Sequence, residues 1–123
     1  MLCVSIILLF GGKPVQMTTF LQEKMLTIAL NGEIDHHGAR KTLQGIADKI
    51  DQYMPMVCVI NFRGVTFMDS SGIAIVIHTY RRMKELGGTL KLKQVPMQPW
   101  KVLHAAGIDR IIETERSENA YEM

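Results

Sequence analysis

Hydrophobic and polar positions follow two different periods along the chain, which predicts strands separated by helices. Residues 25–30 (MLTIAL) are apolar and β-branched and end at an Asn-Gly turn, as strands do. We predict that residues 18–21 pair with them as an antiparallel hairpin. Apolar side chains then recur at helical spacing, so we predict a helix over residues 36–53 with Asp35 as its N-cap.

The middle of the chain predicts a strand, a turn and a second helix. Residues 56–60 are an apolar run typical of a strand, and a polar connection carrying Arg63 and Gly64 follows them. Residues 65–68 are apolar again. Asp69-Ser70-Ser71-Gly72 comes next, before a helical pattern whose apolar face is Ile73, Val76, Ile77, Tyr80 and Met83.

The last third predicts shorter elements. A strand over residues 89–95 follows the helix stop at Gly87, a short helix covers residues 98–106, and residues 111–112 form a brief strand. The acidic tail, residues 115–123, is predicted to be a short helix. Strands separated by helices imply parallel crossovers and therefore an α/β fold.

Composition narrows the class of protein. The chain of 123 residues is long enough for one domain, and a net charge of +2 with scattered basic residues argues against nucleic acid as a partner. Two cysteines give no disulfide framework, which favours a cytoplasmic protein. The apolar run at residues 2–10 is too short to span a bilayer, so we expect no membrane association.

Residues 1–16 are atypical, and we treat them as an N-terminal extension to a domain over residues 17–123. Three interpretations stay open for the extension: a wrongly assigned start, an extra edge strand, or a segment that packs against a partner. A first residue at Met17 in the native protein would exclude the last two.

Motifs of intrinsic catalysis are missing from the sequence. Asp69 to Gly72 is not a nucleophile elbow, and there is no CxxC, HExxH or P-loop pattern. His36 and His37 are adjacent and diverge at a helix start, so they are poorly placed to bind one metal ion. We therefore expect no enzymatic activity, no cofactor and no metal.

Ser70 is the candidate functional residue. Asp and Ser are the residue types that cap helix N-termini, and the predicted turn places the Ser70 hydroxyl at the positive end of a helix dipole, where an anion is stabilised. Simple helix capping explains the same pattern, and the residues alone leave both interpretations open.

Two stretches carry a resemblance to a known family. FMDSSGIAIVI, with VCVINFRGV before it and ELGGTLKL after it, resembles the STAS domain of anti-sigma factor antagonists, and NGEIDHHGAR at residues 31–40 is similar to that family's other signature loop. The resemblance covers residues 18–118 and is closest to the sporulation members. It implies a single STAS-type domain, with helices mainly on one side of a small, mixed and mostly parallel sheet.

The resemblance also implies a function. Ser70 falls on the family's phosphoacceptor, with Ser71 as its competitor. The unphosphorylated form is expected to bind an anti-sigma factor, a serine kinase in its ATP- or ADP-bound state, and so to release a sigma factor that directs sporulation transcription. Phosphorylation of Ser70 ends that binding, and a serine phosphatase reverses the modification.

The resemblance places the loop of Asp35 and His36 beside the serine turn. With Asp69, Ser71, Gly72 and Arg63, these residues are expected to contact the partner. Asn61 and Gly38 depart from the family pattern, which has Asp and a hydroxyl residue there. The alternatives are a general-stress antagonist, a STAS module of a signalling complex, or a nucleotide-binding domain that uses the helix N-terminus as its phosphate site.

Overall fold

A single six-stranded sheet carries three α-helices in the computed structural model, which describes residues 2–10 and 13–117. The strands are β1 (Leu2–Phe10), β2 (Lys13–Gln22), β3 (Met25–Ile34), β4 (Val57–Met68), β5 (Thr89–Val95) and β6 (Glu113–Arg116). The helices are α1 (Ala39–Tyr53), α2 (Ser71–Glu85) and α3 (Met97–Ala105), and a short 3-10 helix (Ile108–Arg110) follows α3.

The strands lie in the sheet in the order of the chain. β1, β2 and β3 are antiparallel neighbours, whereas β3, β4, β5 and β6 run parallel. Thr18 pairs with Ala29 and Leu21 with Leu26, as the predicted hairpin requires. Residues 2–10 form the edge strand beside β2, which is one of the three interpretations of the N-terminal extension.

The core lies between the sheet and the helices. Leu26, Ile28 and Leu30 alternate along β3 with less buried residues, so one face of the sheet is covered and the other is partly open. Right-handed crossovers between sequential parallel strands place α1 and α2 on the same face, and the two helices pack against each other. The predicted mixed α/β architecture is confirmed.

β4 differs from its prediction, because it continues through Arg63 and Gly64 where a polar connection was expected. Two register shifts against β3 show that β4 holds extra residues, and such bulges let a strand carry polar residues without ending. Glycine at residue 64 lets the Asn31 side chain lie against this part of β4, since a Cβ atom would overlap that side chain.

The predictions for α1 and α2 need correction. α1 begins at Ala39 and not at residue 36, because residues 36–38 form a separate turn and Gly38 takes the N-cap position. The buried face of α2 is rotated from the predicted one, which leaves Ile73, Ile77 and Tyr80 only half-buried. Its buried residues are Gly72, Ile75, Val76, Thr79 and Met83.

The C-terminal predictions are also partly wrong. Residues 111–112 follow the 3-10 helix as a turn, and the last strand is Glu113–Arg116, so the expected tail helix does not begin at residue 115. The remaining tail, residues 118–123, lies outside the described residues. No helix in the described part of the chain is long and apolar enough to cross a membrane.

Candidate functional site

The carboxyl ends of β3 and β4 bring the two candidate loops together. Ile34 pairs with Met68 in the sheet, and the Asp69 amide donates to the Ile34 carbonyl at 3.1 Å. The loop after β3 therefore starts beside the turn after β4. His36 Nδ1 lies 3.9 Å from Asp69 Oδ2, so side chains of the two loops also meet.

Asp69 caps α2. Its Oδ1 accepts the Ser71 amide at 2.8 Å, and its carbonyl accepts the Gly72 amide at 3.0 Å. Ser70 occupies the N-cap position, yet its side chain makes no capping hydrogen bond. The capping role thus belongs to the Asp69 carboxylate, and the exposed Ser70 hydroxyl is left at the positive end of the helix dipole.

Gly72 is buried and packs against β4. A Cβ atom at this position would overlap the Met68 side chain, which is itself fully buried. Glycine at this position therefore allows the first turn of α2 to approach the end of the strand. Ser71 is half-buried, so Ser70 is the more accessible of the two hydroxyls.

Asp35 organises the turn after β3. Its Oδ1 accepts the His37 amide at 3.0 Å and the Gly38 amide at 3.3 Å, and its carbonyl accepts the Ala39 amide at 3.0 Å. Asp35 therefore caps the turn that leads into α1 instead of occupying the predicted N-cap position. The His36 side chain stays 72% exposed beside it.

Arg63 lies apart from the other candidates. It sits within β4, five residues before the strand ends, and a strand rises about 3.3 Å per residue, so roughly 15–20 Å of strand separates it from Met68 at the start of the serine turn. Together with Gln94 it lines two adjoining concavities of about 370 and 690 Å³. The structure thus brings five of the candidates close together and places Arg63 away from them. The five are Asp35, His36, Asp69, Ser70 and Ser71.

Two further residues at the site carry no local sequence signal. The Gln98 side chain from α3 pairs with both backbone groups of Met68, accepting from its N–H and donating to its carbonyl, each at 2.8 Å. Phe67 belongs to the apolar stretch at residues 65–68, yet its side chain is 42% exposed. A contact across 30 residues and an exposed ring both depend on the tertiary fold.

The site presents one exposed hydroxyl, that of Ser70, beside the Asp69 carboxylate. In the described part of the chain, no three His, Cys, Asp or Glu side chains cluster as a metal site would require. Burial raises the pKa of the Cys58 thiol to about 12, so this cysteine is not a nucleophile at neutral pH.

Comparison with known proteins identifies relatives of this chain. An anti-sigma F factor antagonist of Lysinibacillus sphaericus is 32% identical over 84 residues, which cover 68% of this chain and 71% of the relative. An anti-sigma F factor antagonist of Paenibacillus polymyxa is 25% identical over 72% of this chain and 75% of its own length. The anti-sigma-B factor antagonist of Bacillus subtilis is 25% identical over 74% and 82%.

Solved structures agree with these relatives. The anti-sigma factor antagonist SpoIIAA in its unphosphorylated form is 25% identical with a TM-score of 0.70, covering 86% of this chain and 93% of its own. The Bacillus cell fate determinant SpoIIAA in its phosphorylated form has a TM-score of 0.64, also at 25% identity, covering 86% and 96%.

The names of these relatives describe antagonists, in agreement with the prediction that the chain is not an enzyme. The STAS domain model matches residues 17–120, most of the chain. The chain therefore belongs to the STAS domain family, in which the relatives named above are anti-sigma factor antagonists.

Proposed function

We propose that this protein is an anti-anti-sigma factor. Its unphosphorylated form binds an anti-sigma factor, a serine kinase in its ATP- or ADP-bound state, and releases the sigma factor that the kinase holds. Phosphorylation of Ser70 ends the binding, and a serine phosphatase restores it. The sigma factor released in this way directs sporulation transcription.

The observation that carries the proposal is the state of the Ser70 hydroxyl. Asp69 supplies the cap of α2, so the Ser70 side chain has no capping role and is exposed at the helix N-terminus. Because the Ser70 hydroxyl makes no capping hydrogen bond, its modification leaves the cap of α2 in place. Ser71 is half-buried in the first turn and is the poorer acceptor.

Electrostatic energies indicate that phosphorylation of Ser70 acts on partner binding and not on the stability of the fold. A phosphate adds about −1.5 to −2 charges, and at a helix N-terminus it gains roughly 0.3–1 kcal/mol from the dipole. Each unit of that charge is repelled by the Asp69 carboxylate at ~4 Å with about 1 kcal/mol in water and about 4 kcal/mol at an effective dielectric of 20, so a dianion is repelled about twice as strongly. At this exposed turn the value in water applies, so the net cost is about 1 kcal/mol, which is small against the roughly 5–15 kcal/mol that stabilises a typical domain, and the fold survives.

A docked partner changes this balance, because it removes water from the turn. The repulsion between the phosphate and Asp69 then grows by a few kcal/mol, and about 1.4 kcal/mol corresponds to tenfold in affinity. Phosphorylation of Ser70 therefore abolishes docking while it leaves the domain folded. The surface for this partner consists of Asp35, His36, Asp69 and the start of α2.

One relative supports a second candidate function. The similarity to an anti-sigma-B factor antagonist favours the same phosphorylation switch in control of a different sigma factor. A pull-down with the kinases that hold each sigma factor distinguishes the two candidate functions. The true partner retains the unphosphorylated protein and releases it once ATP is added.

The proposal is tested by mixing the purified protein with an anti-sigma F factor, Mg²⁺ and ATP, then mapping phosphate by mass spectrometry. We expect one phosphate on Ser70 in the wild type, none in Ser70→Ala, and unchanged modification in the matched Ser71→Ala variant. Ser70→Ala still binds the kinase, whereas Ser70→Glu binds poorly. Normal phosphorylation of Ser70→Ala would overturn the assignment.

A further inference from the structure

Phe67 is an aromatic side chain that an irregularity of β4 turns outward. Gly32 of β3 pairs with Val65, but the next residue of β3, Glu33, pairs with Phe67, so Thr66 is an extra residue in the strand. Thr66 and Phe67 are both exposed, while Val65 and Met68 on either side are buried. A regular strand would have buried residue 67, and the bulge exposes it.

The backbone that carries Phe67 is held in place. The next residue, Met68, is fixed through both of its backbone groups by Gln98, and the Asp69 amide is bound by Ile34. A ring on a fixed backbone loses little conformational freedom when it docks. Pre-organisation of this kind lowers the entropic cost of binding.

Phe67 lies close enough to Ser70 to share its interface. Three residues of chain span at most about 11 Å. A standard interface covers about 800 Å² on each partner, equivalent to a disc about 16 Å in radius. Phe67 therefore lies within the radius of an interface centred on Ser70.

We propose that Phe67 is the apolar anchor by which the partner kinase holds this protein, a conclusion that rests on the proposed function. Buried aromatic residues contribute much of the affinity in protein interfaces, while charges at the rim set orientation. Asp35 and Asp69 supply negative charge directly after the paired ends of β3 and β4, close to Phe67. The partner is a protein with an apolar pocket for the ring, flanked by basic side chains and adjoining the site that holds the ATP γ-phosphate.

The chain offers a matched control in Phe20. This ring is 38% exposed, against 42% for Phe67, and both stand on strands of the same sheet. Phe20 pairs with Thr27 of β3, and Phe67 pairs with Glu33 of the same strand. Six residues of strand place the two rings roughly 20 Å apart along the sheet, so Phe20 falls outside an interface centred on Ser70.

The test compares Phe67→Thr with Phe20→Thr, since threonine keeps the β-propensity of both strands. Binding to the anti-sigma F factor is measured by calorimetry, and phosphorylation by steady-state kinetics. We expect Phe67→Thr to lose about 10–30-fold in affinity, the equivalent of burying the exposed part of the ring, and to raise KM with kcat nearly unchanged. Phe20→Thr is expected to bind as the wild type does.

A second measurement uses the unaltered sequence. In protein labelled with 4-fluorophenylalanine, the Phe67 ¹⁹F resonance is expected to shift when the kinase is added, while that of Phe20 stays in place. Wild-type affinity of Phe67→Thr, or an unmoved Phe67 resonance in the complex, would overturn the inference. A wild-type protein that binds no anti-sigma kinase would instead refute the proposed function.

Discussion

The side-chain amide of Gln98 replaces a neighbouring strand for Met68. β5 pairs with β4 only from Val57 to Asn61, so the outer part of β4 has no strand partner on that side. There the Gln98 amide accepts the Met68 N–H and donates to its carbonyl, both at 2.8 Å. The last residue before the Asp69 turn is therefore fixed by a residue of α3.

This contact predicts a large effect of Gln98→Leu on the end of β4. Leucine leaves two part-buried backbone groups without partners, at a cost of about 1–3 kcal/mol, and a lower melting temperature follows. Hydrogen exchange of the Met68 amide should accelerate. Gln44→Leu is the control, because Gln44 bonds to Asp48 on an exposed helix face. Equal melting temperatures of the two variants would contradict the prediction.

The different roles of Asp69 and Ser70 at the start of α2 can be measured through the free energy of unfolding. Asp69→Ala removes the cap of α2 and is expected to lower the free energy of unfolding by about 1 kcal/mol, within a range of roughly 0.5–2. Ser70→Ala should change it by less than about 0.5 kcal/mol, because the hydroxyl makes no capping bond. Urea denaturation of both variants measures the two free energies of unfolding. Asp69→Asn is the control, because it retains an acceptor oxygen for the Ser71 amide. The reverse order of stabilities would place the cap on Ser70.

Asp35 allows its structural and binding roles to be separated. Asp35→Ala removes the acceptor of the His37 and Gly38 amides and is expected to cost about 1 kcal/mol of stability. Asp35→Asn keeps an acceptor oxygen and removes only the charge, so it should stay nearly as stable as the wild type. If the carboxylate also contacts the partner kinase, Asp35→Asn binds it more weakly, as calorimetry would detect. Unchanged binding by Asp35→Asn would leave only the capping role.

Cys58 predicts a pH dependence of stability and of thiol reactivity. Burial raises its pKa from 9.0 to about 12, so the unfolded state loses its proton at lower pH than the folded state does. The stability contributed by the buried neutral thiol is present below pH 9 and declines as the pH rises from 9 towards 12.

Reactivity of Cys58 is measured with a thiol reagent in the Cys3→Ser variant, where Cys58 is the remaining cysteine. At pH 8 the folded protein holds about 1,000-fold less thiolate at Cys58 than an ordinary cysteine does, so labelling should be slow until denaturant is added. Rapid labelling of the folded variant would show that the thiol is accessible.

The parts of the fold that were predictable are those with strong local patterns. β5 occupies residues 89–95 as predicted, because Leu90 and Leu92 alternate with Lys91 and Lys93. The serine turn and the following helix were also expected from local residues. β4 was broken in the prediction because Arg63 and Gly64 have the composition of a loop, and the bulges that accommodate them depend on β3.

The site was predictable only where it is local. Ser70 and Asp35 stand in recognisable motifs, whereas the contributions of Gln98 and Phe67 depend on contacts between distant parts of the chain. The buried face of α2 was misplaced for a related reason. Thr79 is buried with its hydroxyl donating to the Ile75 carbonyl at 2.8 Å, and a count of apolar residues overlooks a satisfied threonine.

The sheet places each strand beside the one synthesised before it, so it can grow strand by strand while the polypeptide leaves the ribosome. The serine motif is synthesised before α3, whose Gln98 holds the Met68 backbone from 30 residues further along the chain. A polypeptide that ends before α3 therefore carries the serine motif without the contact that holds Met68, and only copies that include α3 present the Ser70 hydroxyl beside a fixed strand end.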